Sequence, residues 1–361
     1  MMMEYKLEDV FDLQMGKTPS RDRADYWNTN DFKWISIADL TKSDKFISET
    51  KEYLSDVAVK ESGISLIPSG TVIMSFKLSI GKAAITTEPM YSNEAIMAFK
   101  DKHVIQLLPD YVYYMLTGKN WDECANKAVK GKTLNKATLS KIKVNIHDLP
   151  KQREIVAVLD KTKSLIDKRN RELKQLDNLI KARFVEMFEG NFPSVKLGDV
   201  IKTTSGGTPL KTHKEYYDNG TIPWLTSGEI NAGVITKVKN FITEEGLNNS
   251  SAKIVPKNTV VIAMYGATAG VTGILRLETT TNQAVCSLLP SDRFIPEFLY
   301  YAVSAKKDWM ISQCQGGGQP NISQGIIKSM NLIDAPKEEQ IKFSDFAKQI
   351  DKSKFIYSHI T

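Results

Sequence analysis

The feature that most constrains this chain is that it repeats itself. Lys6-Leu7-Glu8-Asp9-Val10 returns as Lys196-Leu197-Gly198-Asp199-Val200, at an offset of 190. Thr18-Pro19 matches Thr208-Pro209, Tyr26 matches Tyr216, and Trp34-Ile35-Ser36 matches Trp224-Leu225-Thr226 at the same offset. Pro68-Ser69-Gly70-Thr71-Val72 aligns with Pro256-Lys257-Asn258-Thr259-Val260, and Tyr113-Tyr114 with Tyr300-Tyr301. Pro150-Lys151-Gln152-Arg153-Glu154-Ile155 aligns with Pro336-Lys337-Glu338-Glu339-Gln340-Ile341, where the offset has drifted to 186. Chance recurrence of short peptides would not stay collinear over such a distance. A period of this length marks a duplicated domain rather than a solenoid, whose repeats are far shorter.

The 361 residues carry 48 Lys plus Arg against 42 Asp plus Glu, a net charge of +6. That mild excess permits a nucleic-acid partner without demanding one. The longest apolar runs, such as Val260–Tyr265, are too short to cross a bilayer. The acidic start Met1-Met2-Met3-Glu4-Tyr5-Lys6-Leu7-Glu8-Asp9 does not read as a signal peptide. Three cysteines, Cys124, Cys286 and Cys314, have no metal-site spacing, so a reducing cytoplasm is the expected location.

Each unit has two textures. The first stretch is α+β: Thr71–Phe76 and Thr259–Tyr265 read as buried strands, and Asp110–Leu116 and Pro296–Ser304 read as helices opening on an acid or a proline. The second stretch, Lys151–Glu189, has neither Gly nor Pro. Ile155, Leu159, Thr162, Ile166, Arg169, Leu173, Leu176, Ile180, Arg183 and Met187 follow alternating spacings of four and three, a heptad pattern. Such a helix is about 55 Å long and needs a partner for its stripe. Pro150 opens it and Gly190 ends it. After Pro336, Phe343, Phe346 and Ile350 continue the same spacing over a shorter stretch. The expected organisation is a first globule over 1–149, a central helix over 150–190, a second globule over 191–335 and a short distal helix over 336–361. The two helices are expected to pair as an antiparallel coiled coil, related by a pseudo-two-fold.

Catalytic chemistry is not apparent. There is no GxxxxGK[ST] phosphate loop, no GxGxxG after a strand and no Asn/Asp-Pro-Pro-aromatic grip for an amine. The four histidines, His103, His147, His213 and His359, are isolated and unrepeated, so neither a metal nor a catalytic residue is expected. The loops instead gather cations beside amides. Unit one offers Lys17, Arg21, Arg23, Lys77, Lys82, Lys130, Lys132 and Asn135, and unit two offers Lys211, His213, Lys214, Arg276, Gln313, Gln315, Gln319 and Asn321. Cations suit phosphates, while amides and guanidinium groups suit base edges. The units differ most in these loops, as Lys130–Asn135 against Gly316–Asn321 shows. A common frame with different loops would read two different sequences.

These residues resemble the specificity subunit of type I restriction–modification enzymes. The likeness rests on the two unit openings, on Ser205-Gly206-Gly207-Thr208-Pro209 with Ile222-Pro223-Trp224-Leu225, on Gly318-Gln319-Pro320-Asn321-Ile322-Ser323, and on Pro150–Ile155 entering a long helix. It covers nearly the whole chain, more closely in unit two. It implies two target recognition domains, each binding one half of a split site in double-stranded DNA, held apart by the coiled coil as a ruler. It also implies a non-catalytic chain docking two modification (methyltransferase) subunits and the restriction subunits, with S-adenosylmethionine, ATP and Mg on those partners and no cofactor on this chain. A self-contained methyltransferase or nuclease, and a two-headed adaptor for protein or sugar, are the competing readings.

Overall fold

The computed structural model describes residues 2–77, 79–121, 126–128, 131–314 and 319–359, with backbone alone at 28, 126–128, 131–133 and 355–359. Contacts divide the chain into two compact units, Met1–Ile166 and Asp167–Thr361.

In unit 1, the main sheet has five strands in the order Phe11–Met15, Ile96–Asp101, Val72–Ser75, Ala83–Thr86 and Phe46–Ile47. The last pair is parallel and the others antiparallel. Val72–Ser75 is buried throughout, as expected of a continuous apolar run at the centre of a sheet. A second sheet sets Trp27–Ile35 between Glu52–Leu54 and Tyr91–Ser92. Met2–Lys6 pairs antiparallel with Lys143–His147 and closes the unit's ends on each other.

Unit 2 repeats this plan. Its main sheet runs Thr203–Ser205, Val285–Leu288, Val260–Ala263, Thr272–Leu275 and Val234–Ile235, again with only the last pair parallel. Its second sheet sets Ile222–Leu225 beside Asn240–Ile242 and Thr279–Thr281, with Ile254–Val255 as a fourth strand. In unit 1 that fourth strand shrinks to the single bridge Ile67↔Met90. Ser194–Lys196 pairs with Asn331–Ile333 as the closing ladder.

The local sequence explains the repeated elements. Ser36 caps the helix Ile37–Lys42 with Asp39 answering back, and Thr226 with Glu229 forms the same capping box in unit 2. Pro109–Thr117 and Pro296–Ser304 both place proline in the first turn, where its missing N–H is harmless. The long helix runs Leu149–Phe188 without a break, about 60 Å at 1.5 Å per residue. It ends where Gly190 takes φ +76, a conformation glycine adopts without strain. A second long helix runs Lys337–His359.

The buried face of the long helix departs from the heptad expectation. Ile155 and Val156 pack into the core of unit 1, so Ile155 serves its own globule. Within unit 2, the buried residues are Ile180, Phe184 and Phe188, spaced by four and four, with Met187 only partly covered. Phe343 lies 5.3 Å from Phe184 and 5.6 Å from Phe188, while Lys354 reaches Asp177 at 2.6 Å. The distal helix therefore runs antiparallel to residues 177–188. Phe346, beneath the Arg183 guanidinium, and Ile350 are partly buried. Leu173 and Leu176 are half-buried, whereas Leu159 and Ile166 are 37% and 53% exposed.

Candidate nucleic-acid interface

Two turns, residues 16–27 and 206–217, are built on one frame. The indole N–H of Trp34 donates to the Lys17 carbonyl at 3.1 Å, and that of Trp224 to the Gly207 carbonyl at 3.0 Å. The Thr18 hydroxyl donates to the Glu94 carboxylate, and the Thr208 hydroxyl to the Gln283 side-chain oxygen. A Cβ on Gly206 would lie 1.8 Å from the Thr281 carbonyl oxygen, so only glycine lets this turn approach the sheet.

The same frame presents different side chains. Arg21 makes a two-pronged pair with Glu52 and lies 3.7 Å above the Trp27 ring and 5.0 Å from that of Trp34. Arg23 holds Asp25 at 2.6 Å and Glu61 at 3.3 Å and covers the Tyr26 ring. Hydrogen bonding to Asp25 raises the Arg23 guanidinium above its ordinary value and lowers the Asp25 carboxyl below its own. In unit 2, His213 bonds Glu215 at 2.6 Å and stacks on Tyr216 at 4.9 Å, an arrangement like that of Arg23, Asp25 and Tyr26 with an imidazole in place of the guanidinium. The His213 bond lowers the Glu215 carboxyl. Lys17 is exposed and donates to the Ser62 carbonyl, while Lys211 and Lys214 are exposed.

A second pair of loops follows the central strands. Lys77 lies over the Phe76 ring at 5.3 Å and Lys82 is exposed. In unit 2, Tyr265 stands at the corresponding place, 41% exposed and bridged to Asn321. Gln319 and Asn321 are exposed beside it, and exposed Gln313 ends the helix Lys307–Ser312. Tyr265 is absent from the sequence-based candidates because it closes an apolar run and reads as strand.

Two candidates serve the fold itself. Asn135 caps the helix Lys136–Ser140 by accepting from the Thr138 backbone N–H at 2.7 Å. Its counterpart is Ser323, which caps Gln324–Ser329, not Asn321. Leu134 N–H to the Phe76 carbonyl and Ile322 N–H to the Met264 carbonyl fix that register. Arg276 ties Asn258 at 2.6 Å to Glu297 at 2.8 Å and is largely withdrawn from solvent. Lys130 and Gln315 lie outside the described residues, and Lys132 is described only as backbone of the hairpin Asn126–Ala128/Gly131–Thr133. The turn and second-loop candidates thus share their frames, while Asn135 serves a helix cap and Arg276 a tie between Asn258 and Glu297.

Among the described residues, no helix is long and apolar enough to cross a membrane. The family model for the type I restriction modification DNA specificity domain matches twice, over residues 1–178 and 189–359. The type I restriction enzyme MjaIX specificity subunit of Methanocaldococcus jannaschii is 23% identical over 72% of this chain and 65% of its own. A type I specificity subunit of Escherichia coli is 27% identical over 67% of this chain and 63% of its own. The chain thus matches somewhat less than two thirds of these relatives' length. Two solved structures share the fold. The S subunit of a type I restriction–modification system from M. genitalium has a TM-score of 0.52 at 13% identity, covering 99% of this chain and 91% of that one. A chain from a study of complex assembly and conformational transition in the type I system has a TM-score of 0.58 at 15% identity, covering 98% and 91%. With its domain present twice and in order, the chain belongs to the type I restriction–modification DNA specificity family.

Proposed function

We propose that this chain reads a two-part site in double-stranded DNA, one half per unit, for a type I restriction–modification enzyme. The observation that carries this reading is the conserved frame with exchanged side chains. The tryptophan-pinned turn presents Arg21 and Arg23 in one unit and Lys211 and His213 in the other, and Lys77 gives way to Tyr265. Cations and amides on a fixed scaffold suit phosphate positioning and base-edge reading. Linking two weak readers raises affinity by effective concentration when their spacing fits the site.

The chain is non-catalytic in this proposal. Methylation with S-adenosylmethionine, and ATP- and Mg-dependent cleavage, belong to modification and restriction subunits. The exposed apolar residues of the long helix, Val158, Leu165, Ile166 and Leu179, supply a face for docking those partners. Such residues cost little when covered by another helix.

The test is to map methylated adenines in cells carrying this chain with its partner subunits. A bipartite motif with one fixed gap is expected. Inserting one heptad around Lys174–Lys181 should change that gap; an unchanged gap refutes the helix as ruler.

A further inference from the structure

The long helix is gripped by unit 1 through a buried cation. Lys45 is 7% exposed, and its ammonium lies 2.5 Å from Asp110 of the helix Pro109–Thr117 and 2.6 Å from Asp160 of the long helix. The Tyr114 hydroxyl donates to the same Asp160 oxygen at 2.5 Å, and the Lys45 ammonium lies 4.9 Å from the Tyr114 ring. Burial works against the lysine charge, but its two carboxylate partners outweigh that, and Lys45 titrates above its ordinary value. Lys163, one turn further along the helix, pairs with Asp44 beside Lys45. Two successive residues leading into the strand Phe46–Ile47 thus hold two successive turns of the long helix.

Unit 2 does not copy this device. The parallel edge strand there is Val234–Ile235, and the residue preceding it, in the place of Lys45, is Gly233. A cleft of 610 Å³ lies beside Gly233, lined also by Arg276, Glu297, Tyr300, Lys348 and Asp351. The distal helix is held instead by Lys348, 3.8 Å from Glu297, and by the part-buried Lys354, which bridges Asp351 and Asp177 while the Tyr301 hydroxyl donates to Asp351 at 3.4 Å.

Here the lysine is buried while Asp110 and Asp160 stay part-exposed, so removing either partner leaves a withdrawn charge less well matched, and the cluster's worth lies in geometry more than in net stability. We propose that Lys45 is a positioning residue, which through Asp110, Asp160 and Tyr114 fixes the direction in which the long helix leaves unit 1 and so sets how sharply the protein discriminates the gap between DNA half-sites. This rests on the reading of the chain as a two-part DNA reader. The lever is long. From Asp160 to Phe188 the helix advances about 42 Å at 1.5 Å per residue, so a tilt of about 10° at the clamp moves its far end by about 7 Å. That is the length of about two base pairs at about 3.4 Å each.

The experiment uses the complex of the full chain with its modification subunits. Its substrates are duplexes carrying the mapped site at the native gap and at gaps one base pair shorter and longer, with adenine methylation as readout. Lys45→Met keeps the stem and removes the charge. Asp160→Asn is milder, since its amide oxygen still accepts from Tyr114. Lys60→Ala, which removes an exposed pair with Asp56, is the control. The ratio of methylation at the native gap to that at the altered gaps should fall about tenfold in Lys45→Met, within the span that linked binding allows, fall less in Asp160→Asn, and stay unchanged in the control. A merely structural role would lower methylation at every gap alike and leave the ratio intact. An unchanged ratio in both folded variants overturns the clamp alone. A wild-type complex with no fixed gap overturns the two-part reading, and the inference with it.

Discussion

Gln152 and Gln340 make the same three hydrogen bonds in the two units. Gln152 accepts from the Leu108 N–H at 3.0 Å and donates to the Gln106 carbonyl at 2.9 Å and the His147 carbonyl at 2.8 Å. Gln340 accepts from the Ile295 N–H at 2.8 Å and donates to the Arg293 carbonyl at 3.1 Å and the Ala335 carbonyl at 2.8 Å. Both are buried in the first turns of long helices. Each fastens the strand-to-helix corner of its unit to the loop that enters the neighbouring proline-started helix.

Gln340→Leu should therefore be costly although it is apolar and near in volume. It strands one N–H and two carbonyls away from water, for a loss of about 3 kcal/mol. Urea unfolding measures the loss, and hydrogen exchange at the Ile295 amide should speed up with it. A loss below about 1 kcal/mol, the ordinary net value of a single hydrogen bond, counts against this role. Gln152→Leu should behave alike in unit 1.

The pairing of the two long helices in unit 2 rests on aromatic packing. Phe343 is fully buried against Phe184, Phe188, Phe298 and Tyr301. Phe343→Ala should cost about 3–5 kcal/mol, as large-to-small changes in a core do. Ile350→Ala, at a partly covered site, should cost clearly less. Comparable urea midpoints for the two variants contradict this ordering.

Much of this was legible in the sequence, for physical reasons that also mark where legibility ends. Local chemistry carried the strands Val72–Ser75 and Val260–Ala263, the helix at Pro296, the helix read from Asp110 that in fact opens one residue earlier at Pro109, and the stop at Gly190, because their causes lie within a few residues. The heptad pattern does not single out Phe184 and Phe188, which the structure buries beside Ile180. A heptad assumes a partner along the whole stripe, whereas here Ile155 serves the first core and the distal helix runs beside residues 177–188. The pairing of Asn135 with Asn321 failed because the preceding loops differ and shape alone restores the register, with Leu134 opposite Ile322. Drift to an offset of 186 likewise hid the match of Gln152 with Gln340. Lys45 with Asp160 had no local signal at all: the two are 115 residues apart.

Acid should loosen unit 2 partly through Glu297. Burial pushes its carboxyl up, but backbone hydrogen bonding, Arg276 and Lys348 outweigh that and hold it below its ordinary 4.5. A value depressed by folding means the folded state binds protons less readily, so this stabilisation is present above the unfolded value and is lost as pH falls through the folded one. Glu297→Gln should be less stable than wild type at about pH 7, with the difference narrowing as the pH is taken down to about 3. Urea midpoints at the two pH values decide it. A difference that persists in acid shows that the ionised carboxylate is not the cause.

The exposed loop residues should separate by what they touch. Lys211 is an exposed cation on the tryptophan-pinned turn of unit 2, suited to a phosphate. Lys211→Ala should weaken DNA binding on all sequences alike and reduce the log–log salt slope by about one. Tyr265 and Gln319 are exposed together near Asn321 and suit base contacts. Their alanine variants should leave the salt slope unchanged and relax base preference at one or two positions of a single half-site, each costing about 1–3 kcal/mol of discrimination. Salt titrations on specific and scrambled duplexes, together with methylation maps of each variant, give both quantities. If Tyr265→Ala shifts the slope while the map stays fixed, the residue contacts the backbone, and base reading in unit 2 must come from elsewhere on its frame.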